Sequence, residues 1–479
     1  QIEGVCVMLF RSFEFLFRFL PVFLVIYYLT PKKVRNVTLL GGCIVFYTIG
    51  EAGYITILLA CVLVNYTLTR LMYRKNTDGR GIRQKRLLLL ALGYDLGVLF
   101  FFKYSGLASG LPLGISFYTF QQLAYLIDRC RGDAPRDSFF DYLTFMVYFP
   151  QLLQGPILLR SEFMGQLKEP ERRRSHAERF SEGIQFFVFG LAKKVLLADT
   201  LAKAVNYGYS NVSMLDSLSA LLLAVGYLTE LYFDFSGYCD MAVGLGKMIG
   251  LEVAENFDAP FHSASVKEFW RRWHMTLGRF FTRYVYIPLG GNRRGKMRTL
   301  CNVMIVMLLS GLWHGAAWTF VLWGFLHGVG MIWDNLEHPH LPKKWMRQAA
   351  TFAYVCMTFV FFRAESIAQG IDVLKSFVSL KWNGFVFQMA SALDMTECYI
   401  ITKALSMKLP GLLSWFWLGI FVVLIAICFR VLSGEKVSGV VALQRQKGYG
   451  RLYPVVLAVL FTWSMISMTG VSEYLYFSF

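Results

Sequence analysis

The sequence predicts an all-α polytopic membrane protein, with about ten to twelve transmembrane helices and re-entrant or interfacial pieces around a central polar cavity. Three observations lead there. Hydrophobic residues fill 56% of the 479 positions and charged residues only 16%, against about 25% charged in soluble domains. Uncharged stretches reach bilayer length, most clearly 302–333, which at about 1.5 Å per residue exceeds a hydrocarbon core of roughly 30 Å. Finally, prolines, glycines and glutamines interrupt the apolar runs at 111–122 and 149–156, and irregular backbone at membrane depth persists only inside protein or along a wet cavity.

The elements follow in chain order. The run 13–29 is long and lacks a small-residue cleavage pattern, so it reads as a span and not a signal peptide. Residue 1 is Gln, and residues 1–7 before Met8 read as an extension without a role; 8–479, free of repeats and low-complexity tracts, reads as a single membrane domain. The net charge of +17 is concentrated in short loops: Lys32, Lys33 and Arg35, then Arg70, Arg74, Lys75, Arg80, Arg83, Lys85 and Arg86. Basic short loops stay in the cytoplasm. The first span therefore runs inward, and a hairpin turning at Glu51, Ala52 and Gly53 goes out and back. Lys436, Arg445, Lys447 and Arg451 hold the last loop inside, leaving the terminal aromatic tail outside. This basicity fits topology and anionic lipid, not nucleic acid. Further apolar segments lie near 87–104, 111–127, 139–158, 184–207, 216–235, 302–333, 350–362, 411–429 and 452–469. The nine cysteines, with no CxxC pair, read as small core hydrophobes.

Within the uncharged run 302–333 stands His314. An ionisable side chain at that depth marks a substrate path or proton relay by default; the plain alternative is a neutral imidazole bonded to a neighbouring helix. Gly311 and Gly315 thin the backbone beside it, and Trp313 and Trp318 are expected to wall it. His327 lies thirteen residues on, about 220° round a regular helix, so the two should not share a face; His327 reads as structural. His176, His338 and His340 fall in polar loops.

Segment 266–287 places apolar residues at 266, 269/270, 273, 277, 280/281 and 284/285, the period of an amphipathic helix. Lys267, Arg271, Arg272, Arg279 and Arg283 line the opposite face, which leads into a glycine-rich turn with Asn292 and Arg293. An interfacial helix on anionic lipid accounts for this pattern, and a phosphate-bearing coenzyme would call for the same residues. His274 borders the apolar face near Trp270 and Trp273.

These pieces come together in a family resemblance. The chain resembles, nearly end to end, the membrane-bound O-acyltransferases, and within them the alginate O-acetylation branch. The matching motifs begin at Leu113, Pro150, Phe233, Asn256, Glu268, Tyr286, Gly311 and Phe361, in that order. The resemblance implies a funnel of tilted helices in the cell membrane. It makes His314 the essential intramembrane histidine and His274 its second motif histidine. It implies acetyl-CoA or a carrier thioester as acyl donor, with no tightly bound cofactor. The partner it implies is an extracytoplasmic serine-ester polysaccharide acetyltransferase.

Acyl transfer from a thioester to a hydroxyl needs a base and an oxyanion partner. His314, kept neutral by desolvation, is the natural base; Gly315 would leave room for backbone amides at the oxyanion, and His274 would orient the donor or assist the proton. Trp270, Arg271, Arg272, Trp273, Asn292 and Arg293 are donor-side candidates. Gln154, Asp234 and Asp240 are candidates to line the cavity, the two aspartates being expected as structural partners of neighbouring helices more than as catalysts. No histidines at i, i+4 and no carboxylate cluster point to a metal, and no Gly-x-Ser-x-Gly elbow points to an acyl-serine. D-alanyl transfer and peptidoglycan O-acetylation stay open as alternatives. A polysaccharide or lipid-linked sugar transporter would instead show paired coupling acids or inverted repeats, and neither stands out.

Overall fold

The computed structural model describes residues 8–72, 80–108, 110–169, 177–336, 341–433, 436–448, 450 and 452–468. The segment 1–7, Arg74, Lys75, His176, His338, His340, Arg451 and the terminal aromatic tail lie outside the described residues. Every regular element among those described is helical: this is an all-α polytopic membrane protein. The chain forms two compact units, residues 1–187 with 241–255 and residues 188–240 with 256–479.

The first unit opens with a π-helical turn, Glu14–Phe19, running into α1 (Leu20–Leu29), followed by α2 (Arg35–Glu51), α3 (Ile55–Met72), α4 (Arg80–Tyr104) and α5 (Ile115–Arg131). Phe15, Phe19 and Phe23 recur every fourth residue, so their rings stack along one stripe. That stripe packs on Phe46 and Phe149, with ring centroids 5.6 Å apart for Phe19–Phe46 and 5.5 Å for Phe23–Phe149. Short helices α6 (Phe139–Met146), α7 (Phe149–Leu152) and α8 (Arg160–Lys168) come next, then α9 (Ala177–Ala192), whose last residues belong to the second unit. As the prolines and glutamines suggest, the backbone breaks around α7, and residues 149–159 are all buried. Gly114, at φ +74°, starts α5 with its α-carbon so close that a Cβ would come within 2.3 Å of the Leu152 carbonyl oxygen. Asp137 ties the entry of α6 to α8: Arg160 donates to it at 2.6 and 2.7 Å, Lys168 at 3.0 Å and the Tyr125 hydroxyl at 3.1 Å. Burial alone would push the Asp137 carboxyl up, but the bonds and charges of Arg160 and Lys168 outweigh it and hold the carboxyl below its usual range.

The second unit contains a π-helical turn, Lys193–Ala198, leading into α10 (Asp199–Ser210), and α11 (Ser217–Met248), whose last residues belong to the first unit. Asp216 and Ser219 cap α11 reciprocally, each side chain accepting from the other's backbone N–H at 2.8 Å. Then come α12 (Val266–Arg272), α13 (Met275–Phe281), a π-helical turn at Thr282–Tyr286, α14 (Lys296–His314), α15 (Trp318–Asn335) and α16 (Lys344–Arg363). The remainder is α17 (Ile367–Val378), α18 (Phe385–Ser391), α19 (Tyr399–Lys408), α20 (Pro410–Ser433), α21 (Val437–Lys447) and α22 (Leu452–Ser467).

Among the described residues, five helices are long and apolar enough to cross a membrane: α3, 82–104 of α4, α11, α14 and 410–431 of α20. That is fewer than the ten to twelve expected; α5, for example, is 17 residues long and buries Gln121, Gln122, Asp128 and Arg129.

Two expectations are corrected. The run 302–333 is a helical hairpin and not one helix: α14 stops at His314, Gly315 is extended (φ −171°), and α15 starts at Trp318. Gly311 and Gly324 let the two helices touch backbone to backbone, their α-carbon positions leaving a Cβ only 2.3 Å from the Phe320 carbonyl oxygen and 2.5 Å from that of Met307. Segment 266–287 is likewise not continuous, being broken at Trp273 and His274. Its apolar positions still face inward, with Val266, Phe269, Trp273, Leu277, Phe280, Phe281 and Tyr284 all buried.

Two tests follow from this packing. Gly311→Val should destabilise the detergent-purified protein by at least about 1–3 kcal/mol through overpacking, read as a drop in Tm. For Asp137, a folded-state pKa below the unfolded value contributes stability that is present above pH ~4 and lost as pH falls through the folded value. Thermal melts from pH 6 to 3 should fall more steeply for wild type than for Asp137→Asn; parallel curves would refute this.

Candidate active site

Ending α14 at His314 places that imidazole, 4% exposed, at the mouth of the hairpin. Its ring packs edge-on against Trp313 (4.8 Å), Phe362 (5.0 Å) and Trp323 (5.2 Å). Trp313 also reaches His274, with 6.3 Å between ring centroids. The two histidines thus flank one buried indole, within a single unit. Trp318, expected to wall His314, is 76% exposed, because the chain has already turned; Trp323, from the returning helix, takes that place. Gly315 does not offer a free amide: its N–H is donated to the Gly311 carbonyl at 3.4 Å, and the Phe320 ring fills the space a Cβ would need.

His274 is held by its own neighbourhood. It sits in the left-handed region at φ 44°, ψ 52°, a conformation that is uncommon for a residue with a Cβ. Backbone bonds bracket it: Asp258 N–H donates to the Arg272 carbonyl, and Met275 N–H to that of Asn256, both at 2.9 Å. Asn256 Oδ1 accepts from the Thr276 N–H (3.1 Å) and hydroxyl (2.9 Å), so that atom is the amide oxygen. Its 3.2 Å contact with His274 Nδ1 therefore requires Nδ1 to carry a proton and donate. In the neutral ring Nε2 is then the acceptor, and it is buried with no hydrogen-bond partner.

His327 forms the opposite case. The Trp270 indole N–H donates to Nδ1 at 3.2 Å, which leaves the proton on Nε2. Nε2 donates to the Thr358 hydroxyl at 3.0 Å, and that hydroxyl donates to the Val355 carbonyl at 2.9 Å. Both nitrogens are matched, as a structural histidine requires. The angular argument that separated His327 from His314 assumed a continuous helix; in the hairpin both rings pack on Trp323, His327 at 4.9 Å.

The other predicted residues disperse. Trp270 serves His327, and Trp273 is core, stacked on Phe269 at 5.3 Å. Arg272 pairs with Glu268 at 2.8 Å, while Arg271, Asn292 and Arg293 are exposed. Asp240 pairs with Lys193 at 2.6 Å and Asp234 with Lys194, which also reaches Asp199 at 2.7 Å. Gln154, fully buried, belongs to the first unit, and neither end of its amide has a hydrogen-bond partner. Glu230 was passed over in the sequence: it is 1% exposed and one turn before Asp234, so α11 does carry two buried acids. Asn256 and Trp323 were also missed as site residues. Asn256 heads a motif noted above, yet nothing in its spacing foretold a bond to a histidine eighteen residues on.

An all-helical membrane chain thus holds two interior histidines around one indole, and His274 Nε2 is buried there without a hydrogen-bond partner. The chain belongs to the membrane-bound O-acyltransferase (MBOAT) family, whose model matches residues 43–371. It is 38% identical over 391 residues to a probable alginate O-acetylase, AlgI, of Pseudomonas putida, covering 75% of this chain and 78% of that protein. It is 33% identical over 434 residues to a peptidoglycan O-acetyltransferase of Helicobacter pylori, covering 79% and 81%. A teichoic acid D-alanyltransferase of Bacillus subtilis is 29% identical over 271 residues, covering 53% and 69%.

If His327 is structural, Thr358→Val, which strands its Nε2–H, should lower stability by about 1–3 kcal/mol. Thermal unfolding in detergent measures it, and an unchanged Tm would refute the bonding scheme.

Proposed function

We propose that this acyltransferase moves an acetyl group from a cytoplasmic thioester, acetyl-CoA or a carrier thioester, toward O-acetylation of an extracellular polysaccharide at the plasma membrane. The pair His314 and His274 around Trp313 carries the reading. His314 takes the proton of the acceptor hydroxyl as its oxygen bonds to the acyl carbon. The carbon–sulfur bond breaks, and the thiolate leaves with that proton as a thiol. His274 Nε2, already an acceptor, takes a hydrogen bond from an N–H or O–H of the donor and so orients it. The names of the Pseudomonas putida and Helicobacter pylori relatives favour acetyl over D-alanyl, the transfer named for the less similar Bacillus subtilis relative. The acyl group would pass on to an extracytoplasmic serine-ester transferase. The exposed Arg271 and Arg293 suit anionic lipid headgroups or the donor's phosphates.

The test is the acetate-ester content of the surface glycan in a deletion strain complemented with wild type, His314→Ala or His274→Ala at equal membrane levels. Loss of a general base costs roughly 10²–10⁴-fold, so His314→Ala should leave the glycan exported but nearly ester-free. Esters retained would remove His314 from the chemistry; loss of the glycan itself would indicate transport.

A further inference from the structure

We infer that Asn256 is a positioning residue that selects which nitrogen His274 offers to the acyl donor; this rests on the donor-orienting role proposed for His274. The argument is one of hydrogen-bond inventory. Asn256 Oδ1 already accepts two donors from Thr276, so its third contact is closed to anything but a proton on His274 Nδ1. Its amide N–H in turn donates to Cys239 Sγ at 3.5 Å, which fixes the amide plane. The Asn256 carbonyl oxygen takes the Met275 N–H, so the same residue holds the main chain just beyond His274. Phe235 stands edge-on to the imidazole at 4.7 Å, and Trp313 at 6.3 Å, so aromatic surface surrounds a ring whose remaining nitrogen is bare.

Asn256 thereby does three things to one side chain: it holds the left-handed turn, sets the ring's orientation and places the lone pair on Nε2. A neutral amide does this while stabilising the imidazolium far less than a carboxylate would, and so leaves the ring free to accept. An acid at this position would orient the ring equally well and charge it.

The experiment uses the full chain in membrane vesicles with labelled acetyl-CoA as donor, comparing wild type, Asn256→Asp and Asn256→Leu. Nitrogen-15 NMR of the histidines is run alongside, with His274 assigned by its loss in His274→Ala. The expected spectrum shows His274 protonated on Nδ1. Asn256→Leu should raise the donor KM roughly tenfold, the scale of one lost orienting bond. Asn256→Asp should keep a near-normal KM at high pH, while the acid limb of the pH profile moves up by about one unit or more, as a carboxylate beside an imidazole demands. An Nε2–H tautomer in wild type overturns the inference. So does an unmoved KM and pH limb in both variants with only the amount of folded protein reduced, the pattern of a purely structural asparagine. Unchanged donor KM in His274→Ala, with the Nδ1–H tautomer intact, would instead sink the donor-orienting role.

Discussion

An imidazole shut into an apolar interior must find a partner for each nitrogen or be held there for a purpose, and this constraint organises the second unit. A stranded polar atom costs about 1–3 kcal/mol, a large fraction of a marginal stability. His327 meets the demand fully through Trp270 and Thr358. His274 meets half of it, through Asn256, and leaves Nε2 open. Burial alone does not distinguish the two rings, since both are at most 1% exposed. What separates them is whether the surrounding polypeptide has completed the inventory.

Two interruptions of regular backbone make the arrangement possible. Gly311 and Gly324 bring α14 and α15 into backbone contact, so the chain reverses at Gly315 and returns Trp323 beneath His314. On the other side, the left-handed His274 separates α12 from α13 and turns the imidazole toward Phe235 and Trp313. Had segment 266–287 stayed one helix, the same residue would have remained at the edge of its apolar stripe. Each break is stabilised locally, by glycine in one case and by Asn256 in the other.

Much of this was legible in the sequence, and the remainder was hidden for identifiable reasons. The all-α class, the irregular segment around Pro150 and the inward face of 266–284 follow from composition and local pattern, which a sequence displays directly. The hairpin at Gly315 was not visible, because an uncharged run without proline gives no sign of reversal. That one omission also misplaced a tryptophan. On a continuous helix the neighbour of His314 is the residue four further on, Trp318; in a hairpin it is Trp323, and Trp318 is left exposed. The break at His274 was equally silent, since left-handed residues are normally announced by Gly or Asn. Its partner Asn256 lies beyond the reach of any helical spacing.

The intramembrane acids show the same rule acting on charge. Read alone, Asp234 and Asp240 in a long apolar segment point first to structural partners on neighbouring helices and only second to a substrate. In the fold they meet adjacent lysines, because the π-helical turn at Lys193–Ala198 brings Lys193 to Asp240 and Lys194 to Asp234 and Asp199. Removing one member of a buried pair leaves an uncompensated charge and costs about 3–5 kcal/mol. A carboxylate engaged in this way is poorly placed to polarise a hydroxyl, since its lone pairs and its charge are already committed. His274 differs from these acids in that its Nε2 is buried with no hydrogen-bond partner, so no ion pair has to be broken before it accepts a hydrogen bond.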